Sequence, residues 1–376
     1  MGRALEDREE YMLNGKRRLG LATLACVGLA IAISTPAAAW ERGSVETFAL
    51  IPSGFPMVEG LAVGPDGKVY SPTFNPTGSP PSQLFTFDPQ GNLLASVPIQ
   101  GSSQAMLGLE VIPGTTNALL VIDFGAGQVL SVNPTNGNAS PCITLDKSQE
   151  KTAPGLNGIT FDAAGNIYVS DSFNGFIWRY SPKEGHSLCG QAEVWVSDPT
   201  LEPNNGKPPE GVPPFGANGV EFNNAGDAMF VANTALDWIV KIPVTGATPG
   251  KGGTPGTPEV FTNSLNGADG IRLDRSDNIW VAANQADEIV VVDPTGKAIA
   301  KLGDFNGVQG GVTKGLLFPA SPAFSPDRQT LYVTNLELDL RTIGIIQSVD
   351  SQWAAQVTQH SIAKISVPPT FPFFGP

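Results

Sequence analysis

Apolar and polar positions alternate in short runs along this chain, and one arrangement of them returns six times. The pattern opens as x-Gly-apolar-x-apolar, with Ser321 in the place of the glycine in the sixth copy, passes a turn, and comes back through a second apolar run. The copies read EGLAVGPDGKVYSPT from Glu59, LGLEVIPGTTNALLVIDF from Leu107, NGITFDAAGNIYVSDS from Asn157, NGVEFNNAGDAMFVANT from Asn218, DGIRLDRSDNIWVAAN from Asp269 and ASPAFSPDRQTLYVTNL from Ala320. Their starts lie 48, 50, 61, 51 and 51 residues apart. Alternation with a period of two around D-G, A-G or S-D turns predicts a β-hairpin in every copy. Further strand-like runs follow, such as GFIWRYSP and AEVWVSD after the third copy, so each unit should hold four antiparallel strands. A repeat of about fifty residues built this way is propeller-blade spacing. The expected fold is all-β: a six-bladed β-propeller.

No stretch keeps a 3.6-residue apolar period, which removes helical solenoids, and a β-sandwich has no reason to repeat one hairpin six times. The sixth copy supplies two strands near Ala320 and Gln329 and a third in SIAKISV from Ser361, but no fourth. The strand VETFALI, from Val45, precedes the first copy and would complete that blade, closing the ring and removing an exposed sheet edge. Insertions mark where loops grow: Asp198 to Pro214, a flexible hairpin tip from Thr245, Gly303 to Gly315, and Leu336 to His360.

The N-terminal segment has another character. Lys16-Arg17-Arg18 precedes an apolar run from Leu19 to Ile33, and small residues from Thr35 to Ala39 precede Trp40. This predicts a signal peptide over 1–39 and a single propeller domain over 40–376. The acidic stretch before Met12 makes that methionine a second candidate start. The apolar run is short for a membrane span and none follows, so the expected product is exported, periplasmic or extracellular, with no span after signal removal. The full chain carries a net charge of −13, and loss of 1–39 leaves −14, which argues against a nucleic-acid partner. Cys142 and Cys189 remain, and in an exported protein such a pair is expected to form a disulfide.

Candidate chemistry comes from the first residue of each copy, which stands at the start of the innermost strand, beside the axis. Sixfold pseudo-symmetry gathers Glu59, Leu107, Asn157, Asn218, Asp269 and Ala320 into one ring. Two carboxylates near an axis repel unless something positive lies between them. Glu59, Asn157, Asn218 and Asp269 are all oxygen donors, with no His or Cys, a set that suits one hard divalent cation, Ca²⁺ before Mg²⁺. The plainer account is turn chemistry, since Asn-Gly and Asp-Gly are common turn pairs. The residues ending the second strands, Asp123, Asp171, Asn233, Asn284 and Asn335, return to the same face and are candidates to orient the ligands. His186 and His360 fall outside the repeat openings and read as loop residues.

Taken together, VEGLAV, LNGITFD, ANGVEF and ADGIRLD resemble the senescence-marker-protein (regucalcin)/gluconolactonase family of calcium-dependent propellers. The resemblance covers nearly all of 40–376. It implies metal binding by Glu59, Asn157, Asn218 and Asp269, and hydrolysis of a lactone or ester with Asp269 as the catalytic group. The substrate would be a small molecule with a carbonyl or phosphoryl ester. The histidine pair of the related paraoxonases has no counterpart, and Gly270 stands where those enzymes use a further Asn. Two alternatives stay open: a non-catalytic NHL-repeat-type propeller that binds a peptide, glycan or small ligand, and a lyase on the same scaffold.

Overall fold

Strands buried on every residue need cover on both faces, and the second strands Leu119–Asp123, Ile167–Asp171 and Ile279–Ala283 are buried along their whole length. The computed structural model, which describes residues 44–183, 187–203, 214–248, 251–345, 348 and 350–367, shows how they get it. Six four-stranded antiparallel units stand side by side, and the apolar clusters lie between neighbouring units rather than in one central core. Tyr168, Ile177 and Trp195 of the third unit meet Met229, Val231 and Val240 of the fourth; Phe230 and Ile239 of the fourth meet Ile271 and Val281 of the fifth. The segment 1–39 expected to be a signal peptide, His186 and most of the Asp198 to Pro214 insertion lie outside the described residues. Those described belong to one compact unit that begins at Trp40. None of their helices is long and apolar enough to cross a membrane.

The inner strands Ala62–Val63, Met106–Val111, Leu156–Phe161, Ala217–Phe222, Ala268–Leu273 and Pro319–Phe324 each neighbour the next, and the sixth neighbours the first. The ring is therefore closed, and the fold is a β-propeller. Its clasp is the expected one: Val45–Leu50 pairs antiparallel with Ser361–Ser366, which pairs in turn with Thr330–Asn335. A further bond ties the ends of the ring, where the Thr334 hydroxyl donates to the Glu59 carbonyl at 2.5 Å.

The repeated glycine has a steric cause. A Cβ on Gly158 would lie 2.5 Å from the Asn218 carbonyl oxygen, and one on Gly219 would lie 2.5 Å from that of Asp269. In the five copies that carry this glycine the inner strand thus rests directly on the backbone of the next, and no side chain fits between. Because the obstructing atom is backbone, Gly158→Ala is expected to cost about 2–3 kcal/mol in chemical denaturation. An unchanged midpoint would show that the blades can separate to admit a methyl group.

Two local features depart from or extend the sequence reading. The insertion after Thr245, of which residues 249–250 lie outside the described residues, carries a short strand, Thr254–Pro255, on Trp238–Thr245. It docks on the third blade, where Trp195 Nε1 donates to the Gly253 carbonyl at 2.6 Å and Arg179 Nη1 to the same oxygen at 3.2 Å. Cys142 and Cys189 form a disulfide with Cα atoms 4.3 Å apart. It adjoins a parallel pairing of Gly190–Ser197 with Ala139–Leu145, so it staples the outer strands of blades two and three. Replacing both cysteines with Ala should cost about 2–4 kcal/mol, because the bridge closes a 47-residue separation, and thermal denaturation measures it.

Candidate metal centre

Stacking the inner strands places the first residue of every copy at one end of the central tunnel. Glu59, Asn157, Asn218 and Asp269 all line a single cavity of about 280 Å³, and none is more than 5% exposed. Leu107 shares its floor, and Ala320 packs in the apolar cluster around it. Two oxygens at this floor, Glu59 Oε2 and Asp269 Oδ1, are buried with no hydrogen-bond donor. A buried carboxylate oxygen without a partner is costly, several times the net value of an ordinary hydrogen bond. The electrostatics agree: burial, and then the charge of Asp269, push Glu59 well above the usual carboxylate range. Burial likewise pushes Asp269 up to about 7, although Asn284 and Asn218 hold it down. Near neutral pH the pair must either take up a proton or receive a cation.

The remaining polar groups hold the floor in place. Asn284 Nδ2 donates to Asp269 Oδ2 at 3.0 Å, which leaves Oδ1 as the free oxygen. Asn218 Nδ2 donates to Thr234 Oγ1 at 2.9 Å, and Thr234 donates in turn to the Ala268 carbonyl at 2.7 Å, so the carbonyl end of Asn218 is the one left for a ligand. Among the described residues no three His, Cys, Asp or Glu side chains gather into a cluster, so a cation here has to draw on amide oxygens beside two carboxylates. The unpartnered oxygens and the all-oxygen composition fit a hard divalent ion.

Of the five strand-end residues expected to orient ligands, only Asn284 reaches the cavity. Asp123 accepts from Ala126 N and from Ser103, Asp171 from Gly155 N at 2.9 Å and Trp178 Nε1 at 3.0 Å, and Asn335 from Leu317 N at 3.0 Å. Asn233 donates to the Thr200 and Glu202 carbonyls. These four brace loops. The reason is register: Asn233 pairs with Ala217, whereas in the fifth blade it is Ala283 that pairs with the equivalent Ala268. Asn284 is therefore one residue further on, equivalent to Thr234, and a one-residue step turns a side chain to the other face. Thr234 was missed for the same reason; aligning VANT with VAAN by strand pairing finds it.

Below the ring the tunnel narrows to a void of about 30 Å³, room for a water or two, and then meets Arg272. Its guanidinium lies 2.5 Å from Glu110 Oε1 and 3.3 Å from Glu221 Oε2. This plug separates the floor from a cleft on the opposite face that Glu110, Glu221 and Arg328 line. The cavity over Glu59 and Asp269 is consequently reached from one side. His360, by contrast, pairs through Nδ1 with Glu337 Oε2 at 2.6 Å and takes no part in the cavity.

With this geometry in view, residues 215–337, which carry Asn218, Asp269 and Asn284, match the family described as SMP-30/Gluconolactonase/LRE-like region. The chain carries an SMP-30/gluconolactonase-like region. Solved structures agree on the fold. A luciferin-regenerating enzyme superposes with a TM-score of 0.60 at 13% identity, covering 89% of this chain and 98% of that one. A calcium-binding regucalcin from Agrobacterium tumefaciens gives 0.56 at 17%, covering 86% and 97%. A gluconolactonase from Xanthomonas campestris gives 0.56 at 12%, covering 86% and 89%. At such identities the likeness concerns the fold. No curated protein matches the sequence.

Proposed function

We propose that this SMP-30/gluconolactonase-like chain is an exported hydrolase of a lactone or ester, dependent on one Ca²⁺ held by Glu59, Asn157, Asn218 and Asp269. The observation that carries the reading is the pair of buried, donorless oxygens, Glu59 Oε2 and Asp269 Oδ1, under a cavity open on one side. When bound, the ion supplies charge neutralisation for this pair and Lewis-acid polarisation of a carbonyl oxygen. The protein's own groups do the rest. Asn284 fixes Asp269 through Oδ2, and a second lone pair of Oδ1 takes the proton of a water whose oxygen adds to the carbonyl carbon, the proton passing to the leaving oxygen as the ester C–O bond breaks. In the direct alternative Oδ1 adds to that carbon, the alkoxide leaves, and water then hydrolyses the acyl-Asp269. Thr234 keeps Asn218 oriented, and the Arg272 plug keeps bulk water from entering beneath. Export is supported by the Cys142–Cys189 disulfide, since such bonds persist in oxidising compartments.

Metal analysis of the mature protein, paired with a panel of lactones and aryl esters assayed with and without chelator, tests this reading. One equivalent of calcium and turnover lost on chelation are expected. Metal without hydrolysis would instead favour a structural cation in a ligand-binding propeller, and turnover unaffected by chelator would favour the lyase alternative.

A further inference from the structure

The walls above the floor are unlike the floor. Twelve of the eighteen described residues that line the cavity are apolar, and no Lys, Arg or His is among the eighteen. Phe124 lies edge-on to Phe74, Phe173 and Phe215, with ring centroids 6.3, 5.9 and 6.4 Å away. Phe173 and Phe215 are stacked, 5.6 Å apart with planes inclined by 16°. These rings come from blades one to four. Leu336, Leu338 and Ile343, from the insertion after the sixth blade's second strand, continue the apolar wall. The six polar lining residues, Glu59, Asn157, Asn218, Thr234, Asp269 and Asn284, come from the inner ends of blades one, three, four and five, at the floor. A ligand in this cavity therefore meets oxygen-bearing groups at the floor and hydrocarbon along the walls.

That asymmetry excludes two classes. With the two carboxylates balanced by the ion, an anionic substrate would bury its own charge with no cationic side chain among the described lining residues to offset it, which desolvation disfavours. A sugar lactone would bury several hydroxyls against phenyl and alkyl walls that offer them no partner. At about 280 Å³ the cavity also lies at the small end of ligand pockets, too small for a glycan chain. We propose that the substrate is a small uncharged lactone bearing an alkyl or aryl group, its carbonyl over Asp269 and its apolar part against Phe124, Phe173 and Phe215. The inference rests on the hydrolase reading for the reaction, but not for the pocket's choice of ligand.

The test uses the mature calcium-loaded protein and a series of γ-lactones with methyl, propyl and pentyl side chains, beside glucono-δ-lactone. The kcat/KM is expected to rise about two- to fourfold per added methylene, the increment of burying each one, and to exceed that for the sugar lactone throughout. In Phe124→Gln and Phe215→Gln the dependence on chain length should flatten. A second arm measures thermal stabilisation by the unreactive lactams of the same series, where the pentyl lactam should raise Tm and gluconolactam should not. Turnover that favours the sugar lactone overturns this inference and leaves the hydrolase reading standing. Stabilisation by the pentyl lactam with no turnover of any lactone overturns the hydrolase reading and leaves the pocket's ligand class intact. Neither turnover nor stabilisation overturns both.

Discussion

Asp269→Asn is expected to lower kcat/KM for lactone hydrolysis by at least about 10³-fold and, in the same protein, to stabilise the metal-free fold above neutral pH. The loss follows from the roles of one side chain. Asp269 supplies half the negative charge at the cavity floor and is the only group there with a free carboxylate oxygen held by a donor on its other side. An amide of the same shape keeps the packing and the contact with Asn284 but cannot accept the proton or balance an ion. The gain follows from burial. With Asp269 pushed up to about 7, its ionised form is held against the preference of its surroundings, and Asn removes that charge. The expected gain at pH 8 is of the order of 4 kcal/mol, read from chemical denaturation of metal-stripped wild type and variant. A variant that loses turnover without gaining stability would mean that the Asp269 charge is already compensated inside the protein. A site whose inactivating mutation stabilises the fold holds its charge for function rather than for folding.

The second expectation concerns pH. A carboxyl whose folded pKa lies above its unfolded value binds more protons in the native state, so its contribution to stability is present at low pH and is lost as pH rises between the two values. For Asp269 that window runs from the ordinary carboxylate range up to about 7, and Glu59 is displaced in the same direction. Metal-stripped protein should therefore lose stability between roughly pH 4 and 7, and saturating calcium should restore it, by about 2.7 kcal/mol at a hundred times Kd. Glu110 and Asp287, both also pushed up to about 7 by burial, contribute to the same slope. The difference between wild type and Asp269→Asn isolates the part that belongs to the cavity floor. Calcium that flattens neither slope would place any ion elsewhere.

Much of this molecule could be read in its sequence because symmetry turns distant positions into neighbours. The x-Gly repeat located the inner strands, and the reason for its glycine, a carbonyl of the next blade 2.1–2.5 Å from any Cβ, is a backbone contact that recurs with the repeat. The clasp by Val45–Leu50 was legible as a missing fourth strand. What was not legible depended on register and on loops. Counting strand ends by residue type grouped Asn284 with Asp123, Asp171, Asn233 and Asn335, although backbone pairing sets it one residue later and on the cavity side. The aromatic wall escaped notice because Phe74, Phe173 and Phe215 lie just outside the repeated strands, where only tertiary packing brings their rings together. Arg272 escaped because an arginine within an inner strand carries no pattern; its meaning lies in Glu110 and Glu221 across the tunnel.

The claim on which the rest depends is that four side chains from four blades hold one ion. Calorimetric titration of calcium into metal-stripped mature protein addresses it without recourse to any substrate. Wild type should bind one equivalent, and the Glu59→Gln, Asp269→Asn double variant, still folded and with its disulfide intact, should bind none. Equal uptake by both proteins, or none by wild type, would contradict the account.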